Sequence, residues 1–333
     1  MSPASLITIG DESSISQLKT PELWLCRPVN HLKEANHERG ENSDYNGPDV
    51  LSENMKVWDD FVTAQDILSE LSINTLKALK GAFTPMELEK FTWGDPVSGL
   101  NINEASFERA WASVTHGINL VLEIVSRRDQ DAKDAEYVII GDGDIAKRKA
   151  PEYAEKNFDV KRKKPDYASH QALSADQYQE IGSHNIFNRI PGDAKIYRKI
   201  RHSMLPPNGE EFINNQEVRH EAMKVLKQIY NYMDQHEARY GYVVNNEEIV
   251  FLRRHPHHWG HMDISPPIKH QVETNLGRGI LNSKYVLFYF LHVIAVDESK
   301  WRLASCLGEV PTRDLRARGS KTRKLRHTRK IKS

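Results

Sequence analysis

Cysteine is nearly absent from this 333-residue chain. Cys26 and Cys306 stand far apart, and no basic n-region with an apolar h-region opens the sequence, so a disulfide scaffold is not expected and a reducing compartment, nucleus or cytoplasm, is. Long apolar runs are missing too. The longest, Tyr285 to Val296, contains His292 and is about a dozen residues, short of the roughly 20 that a membrane span needs, so it reads as a buried C-terminal helix. No lipidation motif points to a membrane. Net charge is also lacking, with 46 Lys and Arg against 46 Asp and Glu. That balance hides a segregation: Arg313 to Ser333 holds ten Lys or Arg and one acid, Asp314, a local charge of +9. Everything before it therefore sums to −9.

What the chain does have is 39% hydrophobic residues, enough for one large core with appendages and too many for a wholly disordered chain. Residues 1 to about 55 mix Pro, Gly, Asn and charge without periodicity, and His37 to Pro48 reads as an exposed loop. Short helical patterns follow between Val57 and Lys90, with Ile67, Leu68, Leu71, Leu76 and Leu79 as the packing residues. A strong amphipathic helix is expected from an N-cap at Asn103 to about Ser126, because Phe107, Trp111, Val114, Ile118, Leu122 and Val125 recur every three or four residues. Tyr137-Val-Ile-Ile140 reads as a buried strand ending in the glycine turn Gly141-Asp-Gly-Asp144.

Further along, Ile186-Phe187 and Ile190 to Tyr197 suggest a strand, with Pro191 acceptable only at its start or at an edge. A second long helix carries Val218, Ala222, Val225, Leu226, Ile229 and Met233 on one stripe. Tyr240 to Val244 and Ile249 to Leu252 then flank Asn245-Asn-Glu-Glu248 as a hairpin. The alternation of helices and strands predicts an α/β fold, layered around a central mixed sheet.

The chemistry concentrates at Asp193-Ala-Lys195. In a strand, residues two apart face the same side, so a carboxylate and an ammonium project together while Ala194 points away. That pairing suits phosphodiester hydrolysis, in which a carboxylate holds a hard divalent cation and a lysine offsets negative charge or orients water. Acid-x-Lys also occurs at Asp131, Asp159 and Glu298, so the surroundings matter: Pro165-Asp166 lies upstream, and Gln228 and Tyr232, four apart, share a helix face downstream.

With Pro165-Asp166, Asp193-Ala-Lys195 and the Q-x-x-x-Y helix in this order, the chain resembles the PD-(D/E)XK nuclease superfamily, and within it the nuclease-like domain proteins common in fungi. Glu108-Arg-Ala-Trp111 with His116 is similar to that group's first core helix, and Tyr240-Gly-Tyr242 to its sequence after the second. The resemblance covers roughly residues 100 to 255. It implies a restriction-endonuclease-like α/β/α core, placed over 91–300, and is silent on the first 90 residues; the residues themselves give an extension of loop and short helices over 1–90 and a basic tail over 301–333, too charged to bury and so expected to be disordered, the helices outside the core being additions at either end. It also implies a Mg²⁺- or Mn²⁺-dependent nuclease acting on DNA. Asp166, Asp193 and the Ala194 carbonyl would bind the metal, and Glu108 would support metal or water, with Glu104 in reserve. Lys195 would position the water, and Gln228 and Tyr232 would orient Lys195 or a phosphate. The alternative is a catalytically inactive nuclease-fold protein that binds nucleic acid or a protein partner.

Basic segments supply the expected nucleic-acid contacts: Lys161, Arg162, Lys163 and Lys164 beside Asp166, and Arg323, Lys324 and Arg326 in the tail. Lys147-Arg-Lys149 with Lys161-Arg-Lys-Lys164 also has the spacing of a two-part nuclear import signal. Asp142 and Asp144, flanked by glycine, read as an exposed turn. His255, His257, His258 and His261 lack the ligand spacing of a zinc site and are interrupted by Pro256, so they read as a polar loop.

Overall fold

The computed structural model describes residues 19–29, 50–93, 104–129, 137–146, 165–182, 185–195, 200–256 and 258–304. Among them the helices are α1 (Pro21–Cys26), α2 (Ala64–Glu70), α3 (Ile73–Lys80), α4 (Pro85–Trp93), α5 (Glu104–Arg128), α6 (Ala175–Ile181), α7 (Glu210–Asn214), α8 (Gln216–Gln235), α9 (Ser283–Tyr289) and α10 (Glu298–Trp301). The strands are β1 (Met55–Val57), β2 (Val138–Asp142), β3 (Tyr167–Gln171), β4 (Gly192–Ala194), β5 (Tyr240–Val244), β6 (Glu248–Arg254), β7 (Met262–Ile264) and β8 (Ile268–Lys269).

These strands form one mixed sheet in the order β1-β7-β6-β5-β4-β3-β2, with β8 also on β6. The pairs β1–β7 and β4–β5 are parallel and the others antiparallel. The chain is thus an α/β protein, as its alternating pattern predicts.

Side-chain alternation divides the sheet between two apolar layers. Tyr240, Tyr242 and Val244 of β5 join Ile249 and Phe251 of β6 in a core with α5 and α9, while Val243, Val250 and Leu252 face α8. The predicted stripes are the buried ones: Phe107, Trp111, Val114, Ile118, Leu122 and Val125 on α5, and Val218, Ala222, Val225, Leu226, Ile229 and Met233 on α8. Each of the larger aliphatic side chains contributes about 1.5–3 kcal/mol on burial. The residues before 90 build on the same core, which contains Leu25, Ile67 and Leu79, and β1 forms a sheet edge. The run from Tyr285 is a buried helix that continues as a π-turn, Phe290–Ile294. No helix of the described residues is long and apolar enough to cross a membrane.

The expected strand from Ile186 to Tyr197 is largely absent: only Gly192–Ala194 is extended ladder, and 196–199 lie outside the described residues. Ile186 to Ile190 instead bends against β3. Asn188 accepts the Ser169 N–H and donates to the Tyr167 carbonyl, and the Arg189 N–H reaches the Ser169 carbonyl. The loop at 37–48 and the tail beyond Ala304 lie outside the described residues.

The outer edge of β2 is closed by a side chain. Asn119 of α5 accepts the Ile140 N–H and donates to the Ile140 carbonyl, both at 2.8 Å, as a neighbouring strand would. This fixes α5 against β2 and sets one wall of the cleft described next.

Candidate active site

β3 and β4 share a single register pair, Tyr167 with Gly192, and separate beyond it. Pro191-Gly192 is fitted to this junction. The Pro191 carbonyl accepts the Tyr242 N–H at 3.0 Å, and a Cβ on residue 192 would lie 2.1 Å from the Tyr242 ring, so only glycine packs there. Past the junction, the Lys195 N–H still bonds to Val244 of β5 at 2.9 Å. On the side that β3 has left, the Ala194 N–H is taken by a side chain, Asp166 Oδ2, at 2.7 Å.

Asp166 is itself held by the glycine turn after β2. The Gly143 N–H donates to the Asp166 carbonyl at 3.1 Å, and a Cβ on residue 143 would lie 1.7 Å from the Pro165 carbonyl oxygen. The turn exposes Asp142 and Asp144, as read from the sequence, while burying Gly143, whose N–H supports Asp166.

Asp193 and Lys195 project toward the α8 side, as strand alternation predicts, while Ala194 enters the opposite core. Lys195 Nζ lies 2.7 Å from Asp193 Oδ2 and 3.9 Å from Asp166 Oδ2, and donates to the Ala194 carbonyl at 3.1 Å. Its approach to Asp193 is an ion pair without hydrogen-bond alignment, so both Asp193 oxygens remain without a hydrogen bond among the described residues, although Asp193 is 0% exposed. Burial, reinforced by the Asp193 carboxylate, raises the Asp166 carboxyl above the usual carboxylate range, while Lys195 and the Ala194 N–H pull it down. On α8, Gln228 Nε2 donates to the Tyr232 hydroxyl at 2.8 Å. Burial, with the charge of Asp193 added, raises the Tyr232 phenol, which ties this helix pair electrostatically to the cluster.

Glu108 shares with this cluster only a cleft. A cleft of about 350 Å³ runs between α5 and the ends of β2 and β3, and Glu108, Arg109, His116, Asp142, Asp166 and Tyr167 are among the residues that line it. The Tyr167 hydroxyl donates to the Glu108 carbonyl at 2.9 Å, clamping α5 to β3 at this point. Asp166 thus joins two groups: the cleft with Glu108, and the sealed pair Asp193–Lys195, which is not part of the cleft lining.

The sequence reading left Asp142 in an exposed turn and gave Arg109 no role, yet both line the cleft. The signal for Asp142 was its register opposite Tyr167, which cannot be read until β2 is known to pair with β3. The signal for Arg109 was its place on the α5 face beside Glu108. The side chain of Glu104, together with Lys161, Arg162, Lys163, Lys164, Arg323, Lys324 and Arg326, lies outside the described residues. The histidines form a loop in which His255 Nε2 lies 2.8 Å from Asp263 Oδ1; His257 is outside the described residues.

Among the described residues no three His, Cys, Asp or Glu side chains gather tightly enough to hold a metal ion by themselves. The donor set at the strand junction is two carboxylates and the Ala194 carbonyl, all hard oxygens. Two carboxyl groups share one ammonium in a buried place, and burial together with their crowding there raises Asp166. A divalent cation fits that chemistry. No family model, characterised protein or solved structure matches the chain.

Proposed function

We propose that the chain is a Mg²⁺- or Mn²⁺-dependent hydrolase of DNA phosphodiester bonds, built on a restriction-endonuclease-like core. The observation that carries this reading is the meeting of Asp166, Asp193 and Lys195, distant or alternate in sequence, within 4 Å at one strand junction. Asp166, Asp193 and the Ala194 carbonyl would hold the cation, with Glu108 facing it across the cleft; when bound, it would supply Lewis-acid stabilisation of charge on the phosphate. Lys195 orients the attacking water and offsets charge on the phosphate oxygens. Tyr232 and Gln228 hold the α8 side of the cluster, and the Tyr167 hydroxyl keeps Glu108 at its distance from Asp166.

A second reading has its own observation. Lys195 already sits on Asp193 Oδ2 and on the Ala194 carbonyl, and Asp193 is sealed from solvent, an arrangement suited to a nuclease fold that binds nucleic acid or a protein without cleaving. Incubation of plasmid, linear and single-stranded DNA with Mg²⁺ or Mn²⁺ separates the two. The hydrolase reading expects cleavage that Lys195→Ala reduces at least about 100-fold. Cleavage unchanged in Lys195→Ala eliminates the assigned site, and binding of DNA without any cleavage or Mn²⁺ uptake favours the second reading.

A further inference from the structure

The helix wall of the cleft carries two bases that the catalytic reading does not use. Arg109 and His116 of α5 are exposed and line the cleft, with Ala112 between them. Spacings of three and four residues put 109, 112 and 116 on one helix face. At 1.5 Å of rise per residue the two bases stand about 10 Å apart along the axis. Ala112 leaves the ridge between them low.

The other arginines of α5 show what an occupied base on this helix looks like. Arg127 pairs with Glu123 at 3.2 Å. Arg128 pairs with Glu87 at 2.5 Å and donates to the carbonyls of Ala78, Gly81 and Ala82. Arg109 and His116 make no hydrogen bond or ion pair among the described residues, although the carboxylates of Glu108, Asp142 and Asp166 line the same cleft. The cleft is therefore polarised, with Asp142 and Asp166 at the strand ends, and with Arg109 and His116, without a partner among the described residues, along the helix beside Glu108. A chain that carries repeated anions past a cation-binding centre matches that distribution.

We infer that Arg109 and His116 form a phosphate track, which holds the backbone of one nucleic-acid strand along α5 on either side of Ala112. This rests on the hydrolase reading for the direction of the strand past Asp166, but the contact itself does not require cleavage. Neither base belongs to the metal or water machinery, so their loss acts on binding and on KM and leaves kcat in place.

The test uses the full chain and a fluorescein-labelled single-stranded DNA oligonucleotide. Anisotropy is read in EDTA across a NaCl series, and KM and kcat are read separately with Mn²⁺. The double variant Arg109→Gln/His116→Gln is expected to bind about 10-fold more weakly, and Arg109→Gln alone to lower the slope of log affinity against log salt by about 0.7, the value for one lost phosphate contact on a single strand. Arg127→Gln, on the same helix but away from the cleft, is expected to match wild type. A wild type that binds through Arg109 without cleaving removes the hydrolase reading and leaves the track standing. Cleavage by wild type with unchanged KM and salt slope in the double variant overturns the track alone, as does a wild type that binds no DNA.

Discussion

Two aspartates of this protein, Asp193 and Asp234, are equally inaccessible at 0% exposure, yet they are treated in opposite ways. Asp234 faces Arg254, also 0% exposed, and the guanidinium is used fully: Nη1 on Asp234 Oδ1, Nε on the Ala238 carbonyl at 3.1 Å, and Nη2 on the carbonyls of Leu303 and Ala304 at 2.6 and 3.1 Å. That saturated pair ties the segment after α10 to β6. Asp193 has an ammonium nearby but no aligned donor on either oxygen, and a second carboxylate, Asp166, beside it. Most buried polar groups are fully satisfied, so a sealed carboxylate whose neighbours are one unaligned ammonium and a second carboxyl is a candidate site. The contrast separates a structural clamp from the junction proposed to take a cation.

The sharpest way to break the comparison is to neutralise the clamp. Asp234→Asn leaves Arg254 buried without a counter-charge and is expected to cost about 3–5 kcal/mol, read as a lowered urea midpoint. A cost under about 1 kcal/mol would mean that the three carbonyls alone hold the guanidinium, and that the clamp does not differ in kind from the junction.

A smaller loss is expected where the junction meets its support. In Gly143→Ala the new methyl would stand 1.7 Å from the Pro165 carbonyl oxygen, a backbone atom that cannot swing aside, so the turn must shift and carry Asp166 with it. Overpacking of this kind costs about 1–3 kcal/mol. Cleavage is expected to fall more than stability does, because the Gly143 N–H that holds the Asp166 carbonyl moves first. Equal cleavage in this variant and in wild type would show that Asp166 is not placed by the turn.

The sequence made the long elements and the strand of Asp193 and Lys195 legible for different reasons. α5, α8 and the β5–β6 hairpin announce themselves because each buries a full apolar stripe at the period of its element. Asp193 and Lys195 could be placed on one side by alternation alone. β3, Tyr-Ala-Ser-His-Gln, carries no apolar alternation because its polar groups are satisfied by a loop, through Ser169 and Asn188, and not by core packing. β1, β7 and β8 are two or three residues long, too short for any period to show. The cleft depends on register between β2 and β3 and on the docking of α5 through Asn119 and Tyr167, relations that no local pattern contains.

Two smaller effects sharpen the reading of the junction itself. Tyr232→Phe removes the acceptor of Gln228 Nε2 and is expected to cost about 1 kcal/mol, with a loss of cleavage of a few-fold, since the ring and its packing remain. Asp193→Asn is expected to be smaller still in stability, within about 1 kcal/mol of wild type by urea unfolding. It relieves the repulsion with Asp166 and leaves Lys195 an acid partner in Asp166 and an acceptor in the Ala194 carbonyl. Cleavage, by contrast, should vanish, because a neutral amide is a far weaker ligand for a hard cation than a carboxylate. The same chemical change at Asp234 and at Asp193 would then give opposite outcomes, large in stability at one and large in activity at the other. If Asp193→Asn instead destabilises the fold by as much as Asp234→Asn, Asp193 and Lys195 are a second clamp and the junction is architecture.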